Sequence, residues 1–341
     1  MKPTVILAPH WRTMNELFSP EALTTLQSRY ELVWSNDDPI PGSLLSDALL
    51  SASALISATP VVSELTLDRA PILKTIIEVS GAFPDTIDYA ACAARGVEVL
   101  SCSPGFRTTV AEMGLAMAIG SARGLYTEHE LFRHNKEHWL EDHADTDFTL
   151  YGANIGFVGF GQIAQELNRL LAPFNPKVKT FDPWLSESAA EKHAVELVGF
   201  DDVLCWSRCL FITASPTTEN KALLSTEALR KMPDHALLVI LSRAHLVDFD
   251  AVTAEAQSGR LRVATDVFPH EPLSSDHPIR TASNALLSPH RAAAVTGGRQ
   301  LIGDMIVDDL ATIDAGQPQR RLAIANANTI TALAGVGDAS R

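Results

Sequence analysis

Three ionisable residues, Arg243, Asp266 and His290, each stand just past the end of a short hydrophobic run, and a glycine turn, Gly159-Phe160-Gly161, lies upstream of all three. In an open parallel sheet, ligands gather in the crevice outside the carboxyl ends of the strands, so four strand exits carrying such groups point to one site. The glycines let backbone amides approach a phosphate. An arginine is a permanent planar cation that polarises a carbonyl and grips a carboxylate. A histidine exchanges its proton near neutral pH, and Glu271 can orient the ring of His290 and raise its basicity. Moving a hydride to or from a carbonyl carbon requires such a partner for the proton. Together these residues predict a nicotinamide-dependent enzyme working on a small carboxylate.

The glycine turn has the context that a dinucleotide cradle needs. It follows a strand-like run at 155–158 and opens a helix with Ile163, Leu167, Leu170 and Leu171 on one face. Gly159 permits the tight turn, Gly161 allows close approach to a pyrophosphate, and Ala164 replaces the third glycine at the helix–strand contact. Gln162 and Ile163 supply the first helical amides. A second strand at 178–181 ends in Asp182, about twenty residues after Gly159, the spacing of an acid that accepts from the ribose hydroxyls. That acid repels a 2′-phosphate and so favours NAD over NADP.

The elements that must carry these residues form two α/β series. The first has strand-like runs at 4–7, 31–34, 54–57, 73–77 and 97–100, with Ser19-Pro20-Glu21 as a helix start and a short helix at 89–95 stopped by Gly96. The second runs at 155–158, 178–181, 210–213, 237–241, 261–265 and 285–287. Alternation of this kind predicts parallel sheets. Between them, a helix at 109–124 is apolar nearly all round and needs burial on several sides. A histidine-bearing stretch at 128–149 (His129, His134, His138, His143) lacks compact ligand spacing and reads as a solvated or interface arm, not a metal site. One amphipathic helix, about 295–315, is expected to dock back on the N-terminal domain. The tail, 326–341, is expected to be loosely held.

The bulk numbers narrow the class. At 341 residues the chain holds two domains, and 46% hydrophobic with 20% charged residues is an ordinary globular composition. A net charge of −14 excludes nucleic acid and anionic membrane as partners, because both are repelled. No run approaches the roughly 18 apolar residues of a membrane span, and no secretory segment opens the chain. The four cysteines, Cys92, Cys102, Cys205 and Cys209, lack paired metal spacing, which predicts reduced thiols in a cytoplasmic protein with no metal. His10 and Trp11 follow the first strand and are left outside the site as turn packing.

Several motifs resemble the D-2-hydroxyacid dehydrogenase family over about residues 75–315. Leu241-Ser242-Arg243-Ala244-His245-Leu246-Val247-Asp248 is similar to the family segment with the catalytic arginine, which implies that role for Arg243. Asp266-Val267-Phe268-Pro269-His270-Glu271-Pro272 is similar to its D-V-F-x-x-E-P, implying that Glu271 partners the histidine and Asp266 touches the nicotinamide amide. Ser288-Pro289-His290 resembles its P-H signature, implying His290 as acid–base. Ser80-Gly81-Ala82-Phe83-Pro84-Asp85 resembles its substrate-carboxylate loop, implying that the Ser80 and Gly81 amides bind the acid. Ser215 and Ser242 are placed with the cofactor by the same likeness.

The resemblance implies a flavodoxin-like substrate domain (1–103 plus 293–325) and a Rossmann NAD-binding domain (104–292), both with parallel sheets, a cleft between them, and a homodimer formed through the long helix and the arm after it. The implied activity interconverts a small D-2-hydroxy acid and its 2-keto acid. An NAD(H)-sensing corepressor-like protein on the same fold and an NADP-preferring glyoxylate/hydroxypyruvate reductase are the alternatives. The chain departs from the family pattern at Phe83-Pro84, at Ala244-His245 and at Arg291-Ala292-Ala293. Val79 stands where members carry a basic residue, which argues against phosphorylated substrates. Glu271 argues against a formate dehydrogenase.

Overall fold

The computed structural model describes residues 2–141, 143, 146–217 and 219–326. The described chain divides into two compact units, one of residues 2–107 and 295–326, the other of residues 108–294.

The first unit is built on β1 (Thr4–Ala8), β2 (Glu31–Trp34), β3 (Ala52–Ser57), β4 (Thr75–Glu78) and β5 (Glu98–Ser101), all parallel. Their order, β5-β4-β3-β1-β2, is the flavodoxin type of doubly wound sheet. Every residue of β3 and β4 is buried, as expected of strands covered on both faces. One of them, Glu78, is an acid. Helix α1 (Pro20–Arg29) starts as its sequence predicts, with Ser19 Oγ accepting from Ala22 N at 3.1 Å and Pro20 in the first turn. Helix α2 (Tyr89–Ala94) is capped by Asp88.

In the second unit, helix α3 (Arg107–Ala122) leads into α4 (Leu125–Arg133). Gly114 lets α3 approach the side chains of Leu167 and Leu241. Burial of α3 is less complete than its composition predicts: Glu112, Ala116 and Ile119 form an exposed stripe. The sheet comprises β6 (Asn154–Val158), β7 (Lys177–Phe181), β8 (Glu196–Leu197), β9 (Cys209–Ile212), β10 (Leu237–Ile240), β11 (Arg262–Thr265) and β12 (Ala285–Leu287), with α5 (Gln162–Leu171) after β6. All pairings are parallel, in the order β12-β11-β10-β9-β6-β7-β8. Strand order therefore reverses at β6, between β7 and β9. This is the Rossmann arrangement with its ligand-binding switch point at the end of β6. The seventh strand, β8, escapes prediction because two residues carry no periodicity.

The chain then closes the first unit. Helix α6 (Gln300–Asp314) buries Ile302, Met305, Ile306 and Leu310 in the same core as Leu17 and Leu26. Strand β13 (Ala323–Ile324) adds an antiparallel edge to β5, a departure from the all-parallel expectation. The tail beyond residue 326 lies outside the described residues.

Candidate active site

The glycine turn is shaped by what its glycines exclude and admit. Gly159 has φ +86°, and a Cβ there would lie 2.3 Å from the Ala214 Cα, so no other residue fits. Gly161 is the N-cap of α5, and a Cβ built on it would meet nothing within 4 Å. Among the described residues no side chain caps the first turn of α5, which leaves the Gln162 and Ile163 amides at an open helix N-terminus that favours an anion. Ala164 is fully buried at the third glycine position. At the end of β7, Asp182 Oδ2 accepts from Phe160 N at 2.7 Å and Oδ1 from Trp184 N at 2.9 Å, which ties the acid to the turn. Ser215 is exposed after β9, in a loop held by Asn220, which donates to Ser215 O at 2.9 Å. Ser242 Oγ, after β10, is buried without a hydrogen-bond partner among the described residues. The open space at Gly161, the uncapped amides and the orphan hydroxyl all fit a dinucleotide at this switch point.

The candidate chemical groups follow three neighbouring strands. Arg243 comes after β10, Asp266 after β11 and His290 after β12, and β10 pairs with β11 and β11 with β12. His290 Nδ1 lies 2.6 Å from Glu271 Oε2, and Glu271 Oε1 accepts from Phe268 N at 3.0 Å. The carboxylate sits on the Nδ1 side and leaves Nε2, on a ring that is 39% exposed, without a hydrogen-bond partner among the described residues. His290 has φ +51°, a conformation held by its amide donating to Asp266 O at 2.8 Å. Arg243 is exposed and extended. Its Nη1 donates only to the Ser242 carbonyl, at 2.8 Å, and no carboxylate pairs with it among the described residues.

Asp266, for which the motif implies a nicotinamide contact, has hydrogen-bond partners within its own unit. It is 1% exposed, and both its oxygens are engaged: Oδ1 accepts from Ser288 Oγ at 2.5 Å and Arg291 N at 2.8 Å, Oδ2 from Ala292 N at 2.9 Å. Its geometry braces the turn that carries His290.

The Ser80 and Gly81 amides, expected to be open to a substrate acid, already hold a carboxylate. Ser80 N donates to Glu78 Oε1 at 2.5 Å, and Gly81 N and Ala82 N both donate to Oε2 at 2.8 Å. Burial pushes the Glu78 carboxyl above the usual carboxylate range, against the opposing pull of these hydrogen bonds. Gly81 has φ +98°, and a Cβ on it would press on the Phe106 ring at 2.7 Å.

With this geometry in place, comparison with known proteins is decisive. Residues 115–292 match the model of the D-isomer specific 2-hydroxyacid dehydrogenase NAD-binding domain. The chain belongs to the D-2-hydroxyacid dehydrogenase family. A phosphoglycerate oxidoreductase from Rhizobium etli superposes with a TM-score of 0.83 at 34% identity, covering 95% of this chain and 99% of that one. D-3-phosphoglycerate dehydrogenase of Mycobacterium tuberculosis is 29% identical over 318 residues, 92% of this chain and 57% of that protein, so the chain spans little more than half the length of that relative. Glyoxylate reductase of Korarchaeum cryptofilum is 26% identical over 303 residues, 86% of this chain and 90% of that one. The cofactor of this family domain is NAD.

This dehydrogenase-family chain also has a cluster that spacing alone did not suggest. One ligand atom each from Glu128, His138 and His143 lies within 4.8 Å of the others. His138 Nδ1 is 2.9 Å from Glu128 Oε1, and all three side chains are about a third exposed. The residues that sequence reasoning passed over are Glu78 and Arg12. A faint signal existed for each: Glu78 ends an apolar strand run directly before Ser-Gly, and Arg12 follows His10-Trp11 at the first strand exit.

Proposed function

We propose that the chain is an NAD-dependent oxidoreductase that interconverts a small D-2-hydroxy acid and its 2-keto acid, with His290 as the acid–base group. The single observation that carries this reading is the 2.6 Å contact between His290 Nδ1 and Glu271, which leaves Nε2 of a partly exposed imidazole free to exchange a proton. Bound nicotinamide supplies or accepts the hydride. In the reducing direction His290 Nε2 donates its proton to the substrate oxygen, and the imidazole recovers it from solvent. In the oxidising direction the same nitrogen removes the hydroxyl proton. Glu271, on the Nδ1 side, fixes the orientation of the ring and directs Nε2 to the substrate. Arg243, with no carboxylate of its own, polarises the carbonyl and holds the acid beside it. Asp266 keeps the His290 turn in register.

Asp182 serves the adenosine ribose in this reading and disfavours a 2′-phosphate. Exposed Ile119, Tyr126 and Phe132 along α3 and α4 support a homodimer. Free cysteines at 92, 102, 205 and 209 support a reducing, cytoplasmic setting. No described helix is long and apolar enough to cross a membrane.

The test is NADH oxidation against a panel of 2-keto acids, run beside NADPH. Turnover with NADH preferred supports the assignment. Tight NADH binding with no turnover of any acid favours a cofactor-sensing protein instead, and a preference for NADPH removes the role given to Asp182.

A further inference from the structure

Away from its strand exits, the second unit gathers two imidazoles and a carboxylate that the reaction described above does not use. Glu128 stands in α4, and His138 and His143 follow ten and more positions later, where the chain turns back to that helix. His138 Nδ1 is 2.9 Å from Glu128 Oε1, and His143 Nε2 is 3.8 Å from the same oxygen. The two rings meet edge to face, with centroids 5.1 Å apart. In a tetrahedral site with metal–ligand bonds of about 2.0–2.1 Å, ligand atoms stand roughly 3.3 Å from one another. The separations of 2.9 and 3.8 Å bracket that value. Sequence spacing hides the group, because its acid is on a helix and its imidazoles are in the loop beyond.

Each ligand is also anchored by the backbone around it. Glu128 Oε2 accepts from the His138 amide at 3.3 Å, which leaves Oε1 turned to both rings. Carboxylates that bind metals are commonly fixed by a second hydrogen bond of this kind. The His143 carbonyl accepts from Thr146 N at 3.0 Å and Asp147 N at 2.7 Å, and Asp147 pairs with Arg262 of β11 at 2.5 Å. The cluster thus rests on α4 at one side and on the sheet at the other. Its charge suits a cation. The hydrogen bond from His138 holds the Glu128 carboxyl below the ordinary carboxylate range, and Glu141 adds negative charge near His138. One solvent-exposed carboxylate oxygen holds two imidazoles only weakly, whereas a metal ion between the three binds all of them at once.

We propose that Glu128 Oε1, His138 Nδ1 and His143 Nε2 form a binding site for one divalent transition-metal ion of the zinc class. Two imidazole nitrogens select Zn²⁺ and its neighbours over Mg²⁺ and Ca²⁺, which take oxygen ligands. Three protein ligands leave the fourth tetrahedral position to water. The ion takes the place of the proton between His138 and Glu128, so that proton is released to solvent as metal binds. Bound metal ties His138 and His143 to α4. The inference does not rest on the hydroxy-acid reading.

The experiment strips the untagged chain of metal with a chelator, then titrates it with ZnCl₂ by calorimetry and with CoCl₂ by visible absorption. Wild type should take up about one ion per chain, half-saturated at about 10 µM or below. Bound Co²⁺ should show the absorption of a tetrahedral ion with no thiolate charge-transfer band. A large excess of MgCl₂ should not displace it. H143Q and E128Q should each weaken Zn²⁺ binding by roughly tenfold or more and remove the Co²⁺ absorption. H134Q and C205S alter an exposed histidine and an exposed thiol outside the group, and both should bind as wild type does. The three ligand side chains are about a third exposed, so these substitutions leave the core intact. Should one ligand variant fail to fold, the other and H138Q carry the test. Weaker or absent binding in wild type, binding that survives H143Q and E128Q, or loss in C205S or H134Q overturns the proposal.

Discussion

The turns after β4 and β6 are built on the same plan and end differently. Each follows a buried parallel strand and contains a glycine at positive φ, Gly81 at +98° and Gly159 at +86°. In each a side chain at the glycine is barred, by the Phe106 ring or by the Ala214 backbone. Each presents a run of backbone amides at a strand exit. The difference lies in the last residue of the strand. β4 ends in Glu78, which folds back onto three of those amides. β6 ends in Val158, which has nothing to offer them, and the first turn of α5 is left without a side-chain cap. Asp182 takes the Phe160 amide of the second turn, but the Gln162 and Ile163 amides that follow have no side-chain cap among the described residues, so the first nest is filled by an internal anion and the second keeps amides for an external one. The comparison teaches that a glycine turn can take a ligand where the chain leaves some of its amides without an internal acceptor.

The largest effect expected at the open end comes from the acid–base residue. Replacing His290 with Ala should lower turnover roughly 10²–10⁴-fold. NADH affinity, followed by nicotinamide fluorescence, should stay within a few-fold of wild type. Near-normal turnover in the variant would end the assignment of His290. The open nest itself is probed by Gly159→Ala. The added methyl meets backbone at 2.3 Å and adopts a disfavoured φ. The expected outcome is a stability loss of about 1–3 kcal/mol and weakened cofactor binding, measured by thermal unfolding with and without NAD. An equal melting-temperature gain from NAD in variant and wild type would contradict the cradle role.

At the closed end, Glu78→Ala strips three amides of their acceptor and should cost about 1–3 kcal/mol in urea unfolding. The smallest effect is its pH dependence. Glu78 has a folded-state pKa above the ordinary carboxylate value, so the native state binds the proton more tightly than the unfolded chain. Its favourable contribution is present at low pH and is lost as pH rises from the ordinary value through the raised one. The stability advantage of wild type over Glu78→Ala should therefore shrink with rising pH across that window. An advantage that grows instead would mean that the amides outweigh burial at Glu78.

The second unit was far more legible than the first. Gly159, Gly161 and Asp182 obey a fixed local spacing because one strand–turn–helix holds them, and the structure ties Asp182 to the turn at Phe160. Glu271 and His290 are also found in hydrogen-bond contact. Asp266 illustrates the limit of such reading: its position after β11 is a sequence property, but the direction of its carboxylate is settled by the amides at 291 and 292. The same holds for Ser80 and Gly81, whose amides no motif could mark as engaged.

What the sequence determined by itself was the alternation of elements, the parallel sheets and the types of chemical group at each strand exit, because periodicity and turn residues act over a few positions. What only the tertiary structure decided was which polar groups satisfy one another. Glu78 closes on the loop of Ser80, Asp266 turns to the backbone of Arg291, and Arg12 lays its Nε on the Val79 carbonyl, because desolvation favours whichever partner folding brings within reach of an enclosed charge.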